Sequence, residues 1–169
     1  DHGTEDLRHG LSIDLWLRID KEAPGQTVLD NRTESGYGFG LVTAPDGALE
    51  LILNDGRTES RWACDPGGLT PGEVHHVVVV IDGGPKIVTF TINGTLNDGG
   101  EARPFGWGRY NPSLRDVEGD VALRIAPDLQ GEVLSLRIYD RALRTSEAVA
   151  AYRAGVDGVE FANPEGRKR

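Results

Sequence analysis

Leu11-Ser12-Ile13-Asp14-Leu15-Trp16-Leu17-Arg18-Ile19 is the stretch that decides the fold. Leu11, Ile13, Leu15, Leu17 and Ile19 alternate with Ser12, Asp14, Trp16 and Arg18, the period-two pattern of a strand with one face in a core. Trp16 falls on the polar face of that strand. Outward from it, further short runs predict strands at Gln26–Asp30, Gly36–Thr43, Ala48–Asn54, Arg57–Cys64, His75–Asp82, Ile87–Asn93, Ala122–Ala126 and Glu132–Tyr139. Pro45-Asp46-Gly47 and Asn54-Asp55-Gly56 supply residues that tolerate positive φ, and Asn93-Gly94 is a tight-hairpin dipeptide, so the connections read as antiparallel. Val77 to Ile81 is apolar on both faces, which predicts a central strand covered on its second face by a loop or by the opposing sheet.

One helix is expected, with Thr145 as N-cap, Glu147 in its first turn and Gly155 as its C-terminal stop. Strands in succession followed by a single late helix exclude the alternating pattern of parallel α/β folds. The expectation is an all-β fold, an antiparallel two-sheet jelly-roll sandwich with one short C-terminal helix. It divides the chain into an N-terminal extension (1–6), one domain (7–155) and a C-terminal tail or linker (156–169).

The chain has 169 residues, 38% hydrophobic and 27% charged, with 23 Gly and 9 Pro, a turn-rich globular composition of one domain. Its formal charge of -9 repels a phosphate backbone, so nucleic acid is not an expected partner. Arg167, Lys168 and Arg169 form a basic cluster that reads as a solvated tail. No stretch approaches the ~20 apolar residues of a membrane span. Cys64 stands alone, so no internal disulfide is possible. The abrupt polar start at Asp1 suggests a piece of a longer polypeptide, with any export signal upstream.

In their order these segments resemble the laminin G-like, concanavalin A-like lectin/glucanase jelly-roll family in its bacterial form. Ser12 to Arg18 looks like the opening strand with its tryptophan, and Val28-Leu29-Asp30 with Tyr37-Gly38-Phe39-Gly40-Leu41 like the next hairpin. Asp46 to Leu51 followed by Asn54-Asp55-Gly56 is similar to the third. Gly72-Glu73-Val74-His75-His76-Val77-Val78-Val79 is similar to a "G-x-W-H-H" strand, with Val74 in place of tryptophan. Thr91-Ile92-Asn93-Gly94 looks like a "vNG" hairpin. Gly131-Glu132-Val133 through Arg137-Ile138-Tyr139-Asp140-Arg141-Ala142-Leu143 looks like the closing strand and helix.

The resemblance implies a lectin-like, carbohydrate-binding accessory module, secreted or at the cell surface (extracellular or periplasmic), within a larger bacterial protein. It also implies a structural calcium in many members, held with the help of an aspartate where this chain has Leu134. Leucine cannot coordinate a hard cation, so a calcium site here falls to Asp30, Asn31 and Asp128 with backbone carbonyls.

Laminarinase-type enzymes of this sandwich carry E-x-D-x-x-E, and retaining hydrolysis needs a carboxylate pair. Here Glu118-Gly119-Asp120 is followed by Leu123 in the last position. The module itself is therefore expected to be non-catalytic, although its parent protein could be a hydrolase. A third reading keeps it as an unrecognised enzyme acting through Glu118 and Asp120. His75 and His76 are adjacent on a strand, point to opposite faces and cannot share a metal. Cys64 reads as a small buried hydrophobe, and Ser146 as part of a helix cap.

Pro104-Phe105-Gly106-Trp107-Gly108-Arg109-Tyr110-Asn111-Pro112 reads as a loop that offers what sugars need: aromatic faces and planar polar groups. Trp107, Arg109, Tyr110 and Asn111 are the candidate ligand residues; equally, Phe105 and Trp107 could plug the end of the sandwich. Trp62 and Trp16 are further candidates, with core packing as the alternative for each. Arg32, with Asn31 and Tyr37, could form a polar rim. The expected partner is a glycan or polysaccharide. The alternative is a structural β-sandwich docked on a neighbouring domain of the same polypeptide, with an apolar patch and no sugar binding of its own.

Overall fold

The computed structural model describes residues 7–158, with the helix side chains described as far as Val156. The expected extension at 1–6 and the tail from 159 onward, including its basic cluster, lie outside the described residues. A 3-10 turn at Leu7–His9 leads into β1 (Leu11–Ile19). There follow β2 (Thr27–Asp30), β3 (Gly38–Ala44), β4 (Ala48–Asn54), β5 (Glu59–Ala63) and β6 (Val74–Asp82). After these come β7 (Ile87–Ile92), β8 (Thr95–Leu96), β9 (Trp107–Arg109), β10 (Arg124–Ile125), β11 (Gly131–Tyr139) and α1 (Thr145–Gly158).

The strands form two antiparallel sheets, as the alternating pattern predicts. One runs β11-β1-β6-β7-β8, with β9 also paired to β7; the other runs β10-β2-β3-β4-β5. Their facing sides enclose the core: Ile13, Leu15 and Leu17 from β1, Val77 and Val79 from β6, and Phe90 from β7 meet Leu29, Phe39, Leu41 and Leu51. The turns behave as their residues require. Asn93 (φ 49°) and Gly94 (φ 74°) close β7 onto β8, with Ile92 opposite Thr95. Asp46 (φ 59°) and Gly47 (φ 63°) close β3 onto β4.

The second face of β6 is covered by neither a loop nor the opposing sheet. Val78 and Val80 pack under Leu143 and Ala148, so the closing segment and α1 shield them. Trp16 on the neighbouring strand lies under the same helix, stacked with Tyr152 at 5.9 Å. The helix itself differs from expectation at both ends. It begins at Thr145, and Arg144 takes the cap position because the Glu147 carboxylate accepts its N–H at 2.7 Å and also binds the Arg141 guanidinium. It runs on to Gly158, since Gly155 is there for close packing against the Trp16 indole and does not stop it.

Between Trp16 and Leu17 the β1–β11 register shifts: Trp16 pairs with Ser135 and Leu17 with Val133. Leu134, at the position the resemblance gives to a calcium-binding aspartate, is thus the extra residue of a β-bulge and is 40% exposed. The predicted strand at Ala122–Ala126 shrinks to the two residues of β10, pairing only with the end of β2.

Candidate ligand-binding surface

The segment read as one loop contains the short strand β9, which pairs with β7 through Thr89–Trp107, Val88–Gly108 and Ile87–Arg109. Val88 points into the core, so Gly108 also faces inward while Trp107 and Arg109 project from the outer face of the sheet. A Cβ at Gly108 would overlap the Trp62 ring, and one at Gly106 would overlap the backbone of Asn97; only glycine lets this strand lie so close.

The result is an outward cluster. Phe105 is 58% exposed, its ring centroid is 5.0 Å from that of Trp107, and the planes are tilted by 32°. The Arg109 guanidinium carbon lies 5.7 Å from the Trp107 centroid, and Arg109 makes no ion pair with another described residue. Two aromatic faces beside an unpaired planar cation can stack on C–H surfaces and hold paired hydroxyls or a carboxylate.

The remaining candidates lie elsewhere. Tyr110 is 3% exposed, with its hydroxyl 3.5 Å from the Asp82 carbonyl. Asn111 spends its carbonyl oxygen on the N–H and hydroxyl of Ser113, a local turn. Trp62 belongs to the core periphery, with the Arg103 guanidinium 4.1 Å from its centroid. Trp16 is 8% exposed, enclosed by His76 at 4.7 Å, Tyr152 and Gly155. Trp107 and Arg109 are therefore the only pair of these candidates that the fold brings together on an open surface among the described residues.

Arg32 lies on the outer face of the other sheet, across Gly40. It donates to Asp30 at 2.8 Å, while Arg124 donates to Asp30 at 3.0 Å. Burial works against ionisation of Asp30, but the hydrogen bonds from Arg32 and Arg124 prevail and lower its pKa. Tyr37 has its hydroxyl pKa pushed up to about 12 by burial and by its hydrogen bond with Asp116.

The three residues considered for calcium are committed differently. Asp30 holds two guanidinium groups. The Asn31 amide accepts from Phe39 N–H and donates to the Glu118 carbonyl. Asp128 accepts the Thr27 N–H at 2.6 Å. Thr27 and Asp30 stand at opposite ends of β2, so the backbone positions beside which the Asp128 and Asp30 carboxylates are held lie about 10 Å apart along the strand. The donor set does not fit a single calcium ion. No group of three or more His, Cys, Asp or Glu side chains placed to hold a metal occurs among the described residues.

His75 and His76 do point apart. His76 is fully buried, its Nε2 2.7 Å from Asp14 Oδ1, whereas His75 Nε2 accepts the Thr70 N–H. Cys64 is buried, which pushes its thiol pKa up to about 11. Glu118 and Asp120 sit in an irregular loop, their backbones tied to Asn31, and not side by side on a strand.

Sequence reasoning missed the supports of the β9 loop. Asp65 takes the Gly99 N–H on Oδ2 and the Arg103 Nη2 on Oδ1, both at 2.9 Å, and donates its own N–H to Asn97. Arg103 Nη2 also donates to the Ala63 carbonyl. No local pattern announces contacts between residues 32 to 40 positions apart.

With this geometry, the matched family is unambiguous. The family model described as the concanavalin A-like lectin/glucanases superfamily matches residues 2–149. The chain belongs to that superfamily. The solved structures it resembles include the Ruminococcus gnavus IT-sialidase CBM40 bound to α2,3-sialyllactose, at 15% identity and TM-score 0.64, covering 85% of this chain and 83% of that one. Another is the botulinum neurotoxin serotype D binding domain, at 15% identity and TM-score 0.66, covering 89% of this chain. A third is the botulinum neurotoxin DC binding domain in complex with rat synaptotagmin II, at 16% identity and TM-score 0.62, covering 88% of this chain. The match covers 38% and 36% of those toxin chains respectively. At these identities the likeness is one of fold. No curated protein matches the chain.

Proposed function

We propose that this concanavalin A-like domain is a non-catalytic glycan-binding module of a secreted or surface-attached bacterial protein, contacting sugar through Phe105, Trp107 and Arg109. The observation that carries the reading is the open aromatic pair beside the Arg109 guanidinium of β9, which makes no ion pair with another described residue. Superfamily membership, and a fold neighbour solved with sialyllactose, support it. Binding without turnover is favoured because Glu118 and Asp120 lie in an irregular loop and Leu123 ends the acidic pattern. A glycan array probed with the purified domain and its Trp107→Ala variant tests the proposal. Spots bound by the first and lost in the second are expected, and a blank array from the folded domain contradicts it.

One further observation favours docking on a neighbouring domain. Four of the seven exposed large apolar side chains among the described residues, Val121, Ile125, Leu134 and Ile138, fall between positions 121 and 138, on and beside the edge strands β10 and β11. In that reading the seam meets another domain of the same polypeptide, and its excision lowers solubility.

A further inference from the structure

The surface of β9 rests on a loop, residues 97–106, that has almost no secondary structure of its own. Aromatic side chains on such a loop sample many positions unless something holds them, and ordering them on binding costs affinity. Here the hold is explicit. Asp65, just beyond β5 of the opposite sheet, captures both ends of the loop: the Asn97 amide and Gly99 N–H at its start and Arg103 near its finish. Arg103 in turn lies over the Trp62 ring and donates to the Ala63 carbonyl. The Trp62 ring occupies the space that a side chain at position 108 would fill, directly beneath β9.

Resting on the glycan-binding reading, we infer that Asp65, Arg103 and Trp62 are positioning residues. They clamp loop 97–106 and β9 to the second sheet, so that Phe105 and Trp107 are set in place before ligand arrives. None of the three is in the outward cluster itself. The bonds of the clamp join β5 and the residues just after it to a loop more than thirty positions later, and the absence of a side chain at Gly108 lets β9 lie directly on the Trp62 ring. Arginine suits the central place because its Nη2 donates to both the carboxylate and the carbonyl while the guanidinium lies over the indole. Lysine can keep the charge on Asp65 but not that combination.

The test compares wild type, Arg103→Ala, Arg103→Lys, Asp65→Asn and Phe105→Ala, with α2,3-sialyllactose and cellohexaose as probes. Hydrogen exchange needs no ligand. In Arg103→Ala the amides of Gly99, Ala102 and Arg103's replacement should exchange faster, while β1 and β6 amides keep their protection. Affinity for whichever probe wild type binds should fall about tenfold, from the restored freedom of two ring side chains. Arg103→Lys should recover part of that loss. In a Phe105→Ala background the Arg103→Ala change should cost much less, because the ring it positions is gone.

Unchanged exchange in both Arg103→Ala and Asp65→Asn overturns the clamp, whatever the probes do. Faster exchange with undiminished affinity overturns its role in binding. Wild type that binds neither probe nor any glycan of the array contradicts the glycan reading, and the exchange data then judge the clamp alone.

Discussion

Replacing Gly155 by alanine should destabilise this domain, although in an ordinary helix the same change stabilises. Alanine is favoured over glycine by about 1 kcal/mol within a helix. At Gly155 the added Cβ would overlap Trp16 Cζ2 and lie 2.8 Å from Cε2 and 3.0 Å from Nε1. The indole cannot retreat easily, because the His76 ring is 4.7 Å away on a fully buried side chain and Tyr152 stacks at 5.9 Å. Overpacking of this kind costs roughly 1–3 kcal/mol. Set against the propensity gain, a net loss of about 1–2 kcal/mol remains at the upper end of that range. For a domain of this length that lowers Tm by about 2–8 °C. Thermal unfolding followed by near-UV circular dichroism should show it, and Trp16→Phe introduced together with Gly155→Ala should remove most of the clash penalty. A Gly155→Ala variant melting at or above wild type would refute the packing argument for the helix.

Asp14→Ala leaves the buried His76 ring without its Nε2 partner, and urea unfolding should report a loss of about 1–3 kcal/mol. Glu147 has its pKa lowered to about 2, first by the hydrogen bond from the Arg141 side chain and then by that from Arg144 N–H. Its folded value lies below its unfolded one, so the stability it contributes is present above about pH 4.5 and lost as pH falls toward 2. Glu147→Gln should flatten the dependence of Tm on pH in that window and leave the rest of the profile alone. Cys64, with its thiol pushed up to about 11, should react with a disulfide reagent at pH 8 only as fast as the domain opens, and rapid native labelling would count against its burial.

Much of the fold was legible because β1 is amphipathic in the simplest way: five aliphatic residues at every second position. The hairpins were legible because Asn93-Gly94 and Asp46-Gly47 have few other uses. The cover of β6 was not, since Val78 and Val80 declare only that something apolar lies above them, and the helix that supplies it is sixty-five residues later. Gly155 misled for a related reason. A glycine near a helix end signals a stop by local rules, and only the Trp16 ring beneath it explains why it is helical. Of the candidate surface, Trp107 and Arg109 could be named from composition, but β9 could not: three residues centred on a glycine give no strand signal without β7 and Trp62 beside them. Tyr110 looked as available as Trp107 until the alternation of β9 turned the chain after it back toward the core.

The most direct test of the account is a calorimetric titration of the glycan that binds most strongly on the array, using wild type, Trp107→Ala and Arg109→Ala, each with calcium and with chelator. The account predicts loss of binding in Trp107→Ala, weakening in Arg109→Ala and no effect of chelator on wild type. Binding that survives Trp107→Ala, or disappears on chelation, would place the site elsewhere and contradict it.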